Sequence, residues 1–461
     1  MQRRNRKQSV LGLIRWKIPV LAQVVFSSVV VLAVIILRKS GPGLPADGSS
    51  LSVVVGGELP GQRYQRVRTL LAQRRRRLAT TSNDSSTPAL TIPKRSIPSR
   101  LRVFTLPEDV KQALQNHLLQ PDVAVDVTDL RSLEAFLVHV QTIVRSHMLA
   151  WDSTTLKALQ SLVGPTSSVH RERIDAVLFR NLPLDSYIPP TPTDGSTTLN
   201  KSTYVAEALL LALGELTGAS VVGYESETQY SNPWVHEGFP YPSSTAAAAA
   251  ATGSALTMPR GMSHHQDMSY HPSPPDLLGL YCLREGHDHT LQTTIIRNQD
   301  IVDRLPRHSL RVLTEDRFQI HASGWVDGFT AGQEGRSIIT PLFPSSPSVT
   351  TDVKTGGDGY NTPEDNELDL SIALPVDWTN MVGLDDEATA ALEDLVAAIA
   401  AAPRHPVHFV EGDLLLFNNR RVVHARSDYA DLRLDGGDRV VDRAYFRREW
   451  PSEEARRTRM I

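Results

Sequence analysis

Gly412-Asp413-Leu414-Leu415-Leu416-Phe417-Asn418-Asn419-Arg420-Arg421-Val422-Val423-His424 is the stretch on which the reading of this chain turns. A Gly-Asp turn introduces a short apolar strand, Asp413–Phe417, and a polar Asn-Asn-Arg-Arg segment then leads to a histidine. Working outward, short apolar or alternating runs at Leu277–Arg284, Thr290–Ile296, Leu310–Leu313, Ile338–Leu342, Leu368–Ala373 and Val441–Phe446 also read as strands. Helices are fewer. Leu130, Leu133, Leu137, Val140 and Val144 recur at helical spacing. A second helix starts near Ser202, passes through the Leu-rich stretch 209–213 and stops at Gly218, and a third runs from Asp386 to Ala402 and is closed by Pro403. Many short strands with a few helices predict a mainly β domain over 101–461, a β-sandwich or jelly roll decorated by helices. The Ala246–Ala251 tract and the Pro/Ser/Gly/Asp-rich stretch from Phe343 to Asp365 read as insertions.

The 461 residues carry 48 Lys and Arg against 51 Asp and Glu, and one cysteine. One cysteine excludes a disulfide scaffold, and the near-zero net charge argues against a general nucleic-acid binder. Cys282 lies inside an apolar strand, where a buried, inert thiol is expected. No Gly-rich phosphate loop and no nucleophile elbow occurs. Histidine is plentiful, with 15 copies, so metal chemistry is the place to look.

A non-haem Fe(II) site needs two imidazoles and one carboxylate on one face of the ion, with the remaining positions open. His-x-Asp/Glu supplies two of the three, because residues i and i+2 of an extended segment point the same way. Two such triplets occur, His170-Arg171-Glu172 and His265-Gln266-Asp267. Only the second stands just before a strand and has a late histidine, His424, followed by Arg439 and Arg443. A guanidinium binds both oxygens of a carboxylate at once, which suits a dicarboxylate. His287-Asp288-His289 sits in a turn between strands and is read as solvent-facing.

The order His-x-Asp, then Gly-Asp-strand-Asn-Arg-Arg-x-x-His, then Asp-Arg-x-x-x-Arg resembles the 2-oxoglutarate/Fe(II) oxygenases of the clavaminate synthase and asparagine oxygenase group, within the taurine dioxygenase-like superfamily. The likeness runs from about Leu101 to Glu449 and includes Pro275-Asp276-Leu277-Leu278-Gly279-Leu280-Tyr281-Cys282-Leu283-Arg284 after the first ligands. It implies a double-stranded β-helix (jelly roll) with Fe(II), 2-oxoglutarate and O2 as cofactor and cosubstrates, acting on an amino acid or related small polar molecule. His265, Asp267 and His424 would be the iron ligands. Arg439 would clamp the distal carboxylate of 2-oxoglutarate with Thr293, or Thr294 in its place, and Arg443 would help it or touch substrate. Asp377 falls where the amino-acid oxygenases place a polar substrate contact. Two departures bear on the substrate pocket: Asp267 replaces the usual Glu, and the interval from His424 to Arg439 is one residue longer than expected. A same-fold desaturase or cyclase, and a catalytically degenerate tethered binding domain, are the alternatives.

The N-terminal part is a different object. Residues 1–100 hold 18 basic and 3 acidic side chains, leaving 30 against 48 for the remainder. Residues 1–17 read as a basic cytoplasmic tail, and Ile18–Leu37, uncharged and rich in Val, Ile and Leu, as a transmembrane anchor of about 30 Å. Residues 38–100 read as a disordered basic tether. The excess of Lys and Arg before the span places the C-terminal domain in the lumen, where the sequons at Asn83 and Asn200 would matter. A cleaved signal peptide and a mitochondrial presequence are the alternatives.

Overall fold

The structure is a computed structural model that describes residues 101–119, 130–163, 174–193, 199, 201–224, 232–240, 261–321, 337–343, 371–375, 378 and 381–461. The described residues open with strand β1 (Leu101–Thr105) and helices α1 (Glu108–Leu118), α2 (Leu130–Trp151) and α3 (Thr154–Ser161). Then come β2 (Ala176–Arg180), α4 (Val205–Glu215), β3 (Ser220–Val222), β4 (His236–Gly238), β5 (Met262–His265), β6 (Leu277–Arg284) and β7 (Thr293–Arg297). Helices α5 (Asn298–Val302) and α6 (Arg307–Leu313) lead to β8 (Phe318–His321), β9 (Ser337–Thr340), β10 (Met381–Gly383) and α7 (Asp386–Ala401). The last elements are β11 (His405–Val407), β12 (Leu414–Asn418), β13 (Val422–Arg426), β14 (Val440–Arg447) and α8 (Glu453–Thr458).

Strands buried on both faces explain why β6, β12 and β14 read as continuous apolar runs rather than alternating ones. They form the centre of a seven-stranded sheet in the order β1-β2-β12-β6-β14-β3, with β4 also paired to β14. On one face Leu277, Tyr281, Leu414, Leu416, Ala444 and Phe446 pack against α2 and α4. On the other, Leu278, Leu280, Leu415, Phe417, Val441 and Tyr445 meet Ile295, Val407 and Val422 of a second sheet, ordered β11-β7-β13-β5. The outer face of that sheet, through Ile296 and Val423, packs on α6, α7 and a three-stranded sheet β10-β8-β9. Two facing sheets, each backed by helices, make a jelly-roll architecture. Close approach is built in where α4 crosses β14, since a Cβ on Gly214 would stand 2.1 Å from the Phe446 ring.

The sequence expectations hold for β6, β12 and β14 within a residue or so, and for α4 and α7. Leu310–Leu313 is not a strand. It is the end of α6, with Pro306 at its N-cap and Ser309, Val312 and Leu313 buried at helical spacing. Residues 371–373 of the expected strand Leu368–Ala373 are irregular. The start of β7 is delayed to Thr293, because Asp288 accepts hydrogen bonds from the backbone N–H (2.9 Å) and hydroxyl (2.6 Å) of Thr290 and holds a turn. Among the described residues no helix is long and apolar enough to cross a membrane. The tail, anchor and tether expected over 1–100 lie outside the described residues.

Behind β14 lies a buried ionic cluster. Lys201 Nζ donates to Glu207 (2.8 Å) and Asp185 (3.1 Å) and stands 3.8 Å from Asp442. Asp185 also accepts from the Val205 N–H (2.9 Å), capping α4. Burial works against the Lys201 charge, but the carboxylates of Glu207, Asp442 and Asp185 hold its pKa well above the ordinary value. Burial pushes the Glu207 carboxyl up to about 7, with Lys201 opposing and Asp185 reinforcing. A carboxyl raised in the folded state binds its proton more tightly there than in the unfolded chain. Stability from this group is therefore present below about pH 4.3 and lost as pH rises toward 7. Urea midpoints should fall between pH 5 and pH 7.5, and Glu207→Gln should flatten that slope; an unchanged slope would contradict the assignment.

Candidate metal centre

His265 closes β5, and its direct cross-strand partner on β13 is His424. Facing positions on antiparallel strands bring side chains together, and here the two ring centroids are 4.2 Å apart. Asp267, two residues beyond His265, completes the group. Its Oδ1 is 3.1 Å from His265 Nε2 and 3.3 Å from His424 Nε2. All three side chains are buried.

Each donor atom is prepared. His265 Nδ1 donates to the Ser263 carbonyl (2.8 Å), so its proton is on Nδ1 and its Nε2 lone pair faces the group. Burial, with His265 alongside, depresses the His424 pKa to about 4 against the pull of Asp267, leaving a neutral imidazole at pH 7. Burial alone would raise the Asp267 carboxyl. The histidines against its Oδ1, His265 and His424, together with the charge of Arg443, hold it well below the ordinary carboxylate range. The backbone of Asp267 is pinned on both sides by Asn419, whose Oδ1 accepts from its N–H (3.1 Å) and whose Nδ2 donates to its carbonyl (2.9 Å).

One ligand atom from each residue lies within 4.8 Å of the others. Donors about 2.1 Å from a shared ion and at right angles to one another sit about 3 Å apart, which matches the observed spacing. Two imidazoles and one carboxylate on one side of a pocket are the donor set of non-haem Fe(II). The residues fit the metal.

The pocket over this group has a cavity volume of about 40 Å3 and is partly open to solvent. Thr293, Arg439 and Arg443 line it with the three metal-binding candidates, so six of the residues singled out in the sequence converge there. Thr294 lies on the other face of β7. Arg439 is buried, its guanidinium 5.1 Å from the centre of the Phe409 ring, and it makes no hydrogen bond or ion pair among the described residues. Arg443 is engaged: its Nη1 donates to Asp267 Oδ2 at 3.1 Å. Asp377, His170 and Glu172 lie outside the described residues. His287 and His289 pair with Asp435 (2.8 Å) and Glu285 (2.5 Å), so both imidazoles of that triplet are taken up by nearby carboxylates at a turn.

Sequence reading missed three participants. Arg426, two residues past His424 and opposite Thr293 in the β13–β7 pair, enters the pocket with its guanidinium 4.7 Å from the Tyr429 ring centre. Its i+2 spacing from His424 was the available signal. Tyr445 and Asn419 touch Asp267 through tertiary contacts that no local pattern announces.

The family model "Taurine catabolism dioxygenase TauD, TfdA family" matches residues 203–445, just over half of the chain. The chain belongs to that family. It is a TauD/TfdA-family oxygenase that uses Fe(II), 2-oxoglutarate and O2. Clavaminate synthase 2 of Streptomyces clavuligerus is 27% identical over 279 residues, 59% of this chain and 73% of that protein. The L-lysine 3-hydroxylase of Catenulispora acidiphila is 26% identical over 270 residues, 59% of this chain and 66% of its own length. Asparagine oxygenase, solved with Fe(II), 3-hydroxyasparagine and succinate, superposes with a TM-score of 0.54 at 19% identity, covering 75% of this chain and 93% of that one. The non-haem iron oxygenase OrfP, solved with Fe and alpha-ketoglutaric acid, gives 0.55 at 18%, covering 78% and 98%. At these identities the structural matches establish the jelly-roll fold.

Cys282 faces the interior between the sheets, and burial pushes its thiol up to about 12. As the single cysteine it offers a clean probe of the barrel. A thiol reagent should leave the native protein unlabelled and react once per chain in denaturant; labelling of the native protein would show an open interior.

Proposed function

We propose that this oxygenase hydroxylates an amino acid or a closely related small polar molecule, with 2-oxoglutarate oxidised to succinate and CO2. One oxygen atom of O2 enters the product and the other enters succinate, so the equation balances without a further reductant. The observation that carries this reading is the union, in one pocket, of a buried two-histidine, one-carboxylate group with a buried guanidinium, Arg439, that has no ion pair among the described residues. His265, Asp267 and His424 hold the iron, which when bound supplies oxidation of an unactivated C–H bond. Arg439 and Thr293 receive the distal carboxylate of 2-oxoglutarate. Arg426, across the strand pair from Thr293, adds positive potential at the same end of the pocket. The named activities of the clavaminate synthase, lysine hydroxylase and asparagine oxygenase relatives support an amino-acid-like substrate. Membrane attachment through residues 18–37 is part of the proposal on hydropathy alone, and extraction of the full chain at alkaline carbonate tests it.

Incubation of the purified full chain with Fe(II), 2-oxoglutarate and a panel of free amino acids should give at least one product heavier by one oxygen atom, with succinate in equal amount. Loss of two hydrogens instead would assign a desaturase or cyclase. Arg439→Ala should raise the 2-oxoglutarate KM about ten- to a hundredfold, the effect of losing hydrogen bonds to a charged group; an unchanged KM would remove Arg439 from the cosubstrate.

A further inference from the structure

We propose that Arg443 and Tyr445 are positioning residues that reserve Oδ2 of Asp267, so that Asp267 serves the metal through Oδ1 alone. The proposal rests on the metal centre described above. Alternation along β14 turns Val441, Arg443 and Tyr445 toward the interior, while Asp442 faces the Lys201 cluster. Two donors then converge on one oxygen. Arg443 Nη1 donates to Asp267 Oδ2 at 3.1 Å and the Tyr445 hydroxyl donates to it at 3.0 Å. The other oxygen, Oδ1, is the one that faces both imidazoles. The two carboxylate oxygens therefore have separate tasks.

The donors are themselves fixed. Arg443 stands opposite His236 in the β14–β4 pair, and its Nη2 donates to His236 Nδ1 at 3.1 Å. Its guanidinium also lies 4.6 Å from the centre of the Tyr445 ring. Arg443, His236 and Tyr445 are each 3% exposed or less, so rotation of Arg443 toward the pocket would strand a buried cation and leave Asp267 Oδ2 without its charged donor. Asp has a shorter reach than Glu, and Asn419 holds its backbone, so the ligand cannot shift to present both oxygens. Arg439 has no such engagement among the described residues, which leaves its guanidinium for an incoming carboxylate.

The test is Mn(II) affinity, read from the loss of the free-ion paramagnetic resonance signal as the full chain is added, for wild type, Arg443→Met, Arg443→Lys and Tyr445→Phe. Unreactive Cys282 reports that each variant is folded. Arg443→Met should weaken Mn(II) binding about ten- to a hundredfold, as loss of a partner behind a metal ligand does. Tyr445→Phe should weaken it about three- to tenfold, and Arg443→Lys should recover part of the loss. The 2-oxoglutarate affinity of the Mn(II)-saturated Tyr445→Phe protein should stay within about twofold of wild type. Unchanged Mn(II) affinity in Tyr445→Phe and the Arg443 variants would overturn the proposal, all the more if 2-oxoglutarate affinity fell instead. Wild type that fails to bind Mn(II) would overturn the metal centre itself, a distinguishable result.

Discussion

A single negative charge, the carboxylate of Asp267, is buried between two apolar sheets, and much of the architecture exists to tolerate it. Left without partners, a buried carboxylate would cost roughly several kcal/mol or take up a proton. Here four side chains meet it: His265 from β5, His424 from β13, and Arg443 and Tyr445 from β14. Those strands belong to both sheets, so the register of one sheet against the other is tied to one carboxylate. Asn419, on the turn between β12 and β13, ties the backbone at the same point.

The distribution of positive charge follows from this. Arg443 is paired with Asp267, whereas Arg439, which also lines the pocket, makes no ion pair among the described residues. A low-dielectric pocket lined by several guanidinium groups favours an anionic ligand, and the keto acid carries two carboxylates. Behind β14, Lys201 with Asp185, Glu207 and Asp442 anchors the helix face of the same strand. The strand that supplies Arg443 and Tyr445 is thus held on both faces.

The sequence made the centre of the fold legible because strands buried on both sides are written as unbroken apolar runs, as at Leu277–Arg284 and Leu414–Phe417. It was silent on β5 and β13, where functional residues interrupt the pattern: Met262-Ser263-His264-His265 has one aliphatic position in four. It was misleading at Leu310–Leu313, where a short apolar run fits helix and strand alike and Pro306 decides for the helix. The metal-binding candidates were legible through their order along the chain. The partners of Asp267 were not, because Arg443 and Tyr445 lie 176 and 178 residues away and meet it only through sheet packing.

The central claim is that His265, Asp267, His424 and Arg439 form one site for Fe(II) and 2-oxoglutarate. Anaerobic addition of 2-oxoglutarate to the Fe(II)-loaded full chain tests it most directly, by the weak visible charge-transfer absorbance of a chelated keto acid. The account predicts a band that saturates at one 2-oxoglutarate per chain and is absent in His265→Ala. A folded, iron-loaded protein that develops no band, or a band that survives in His265→Ala, would contradict it.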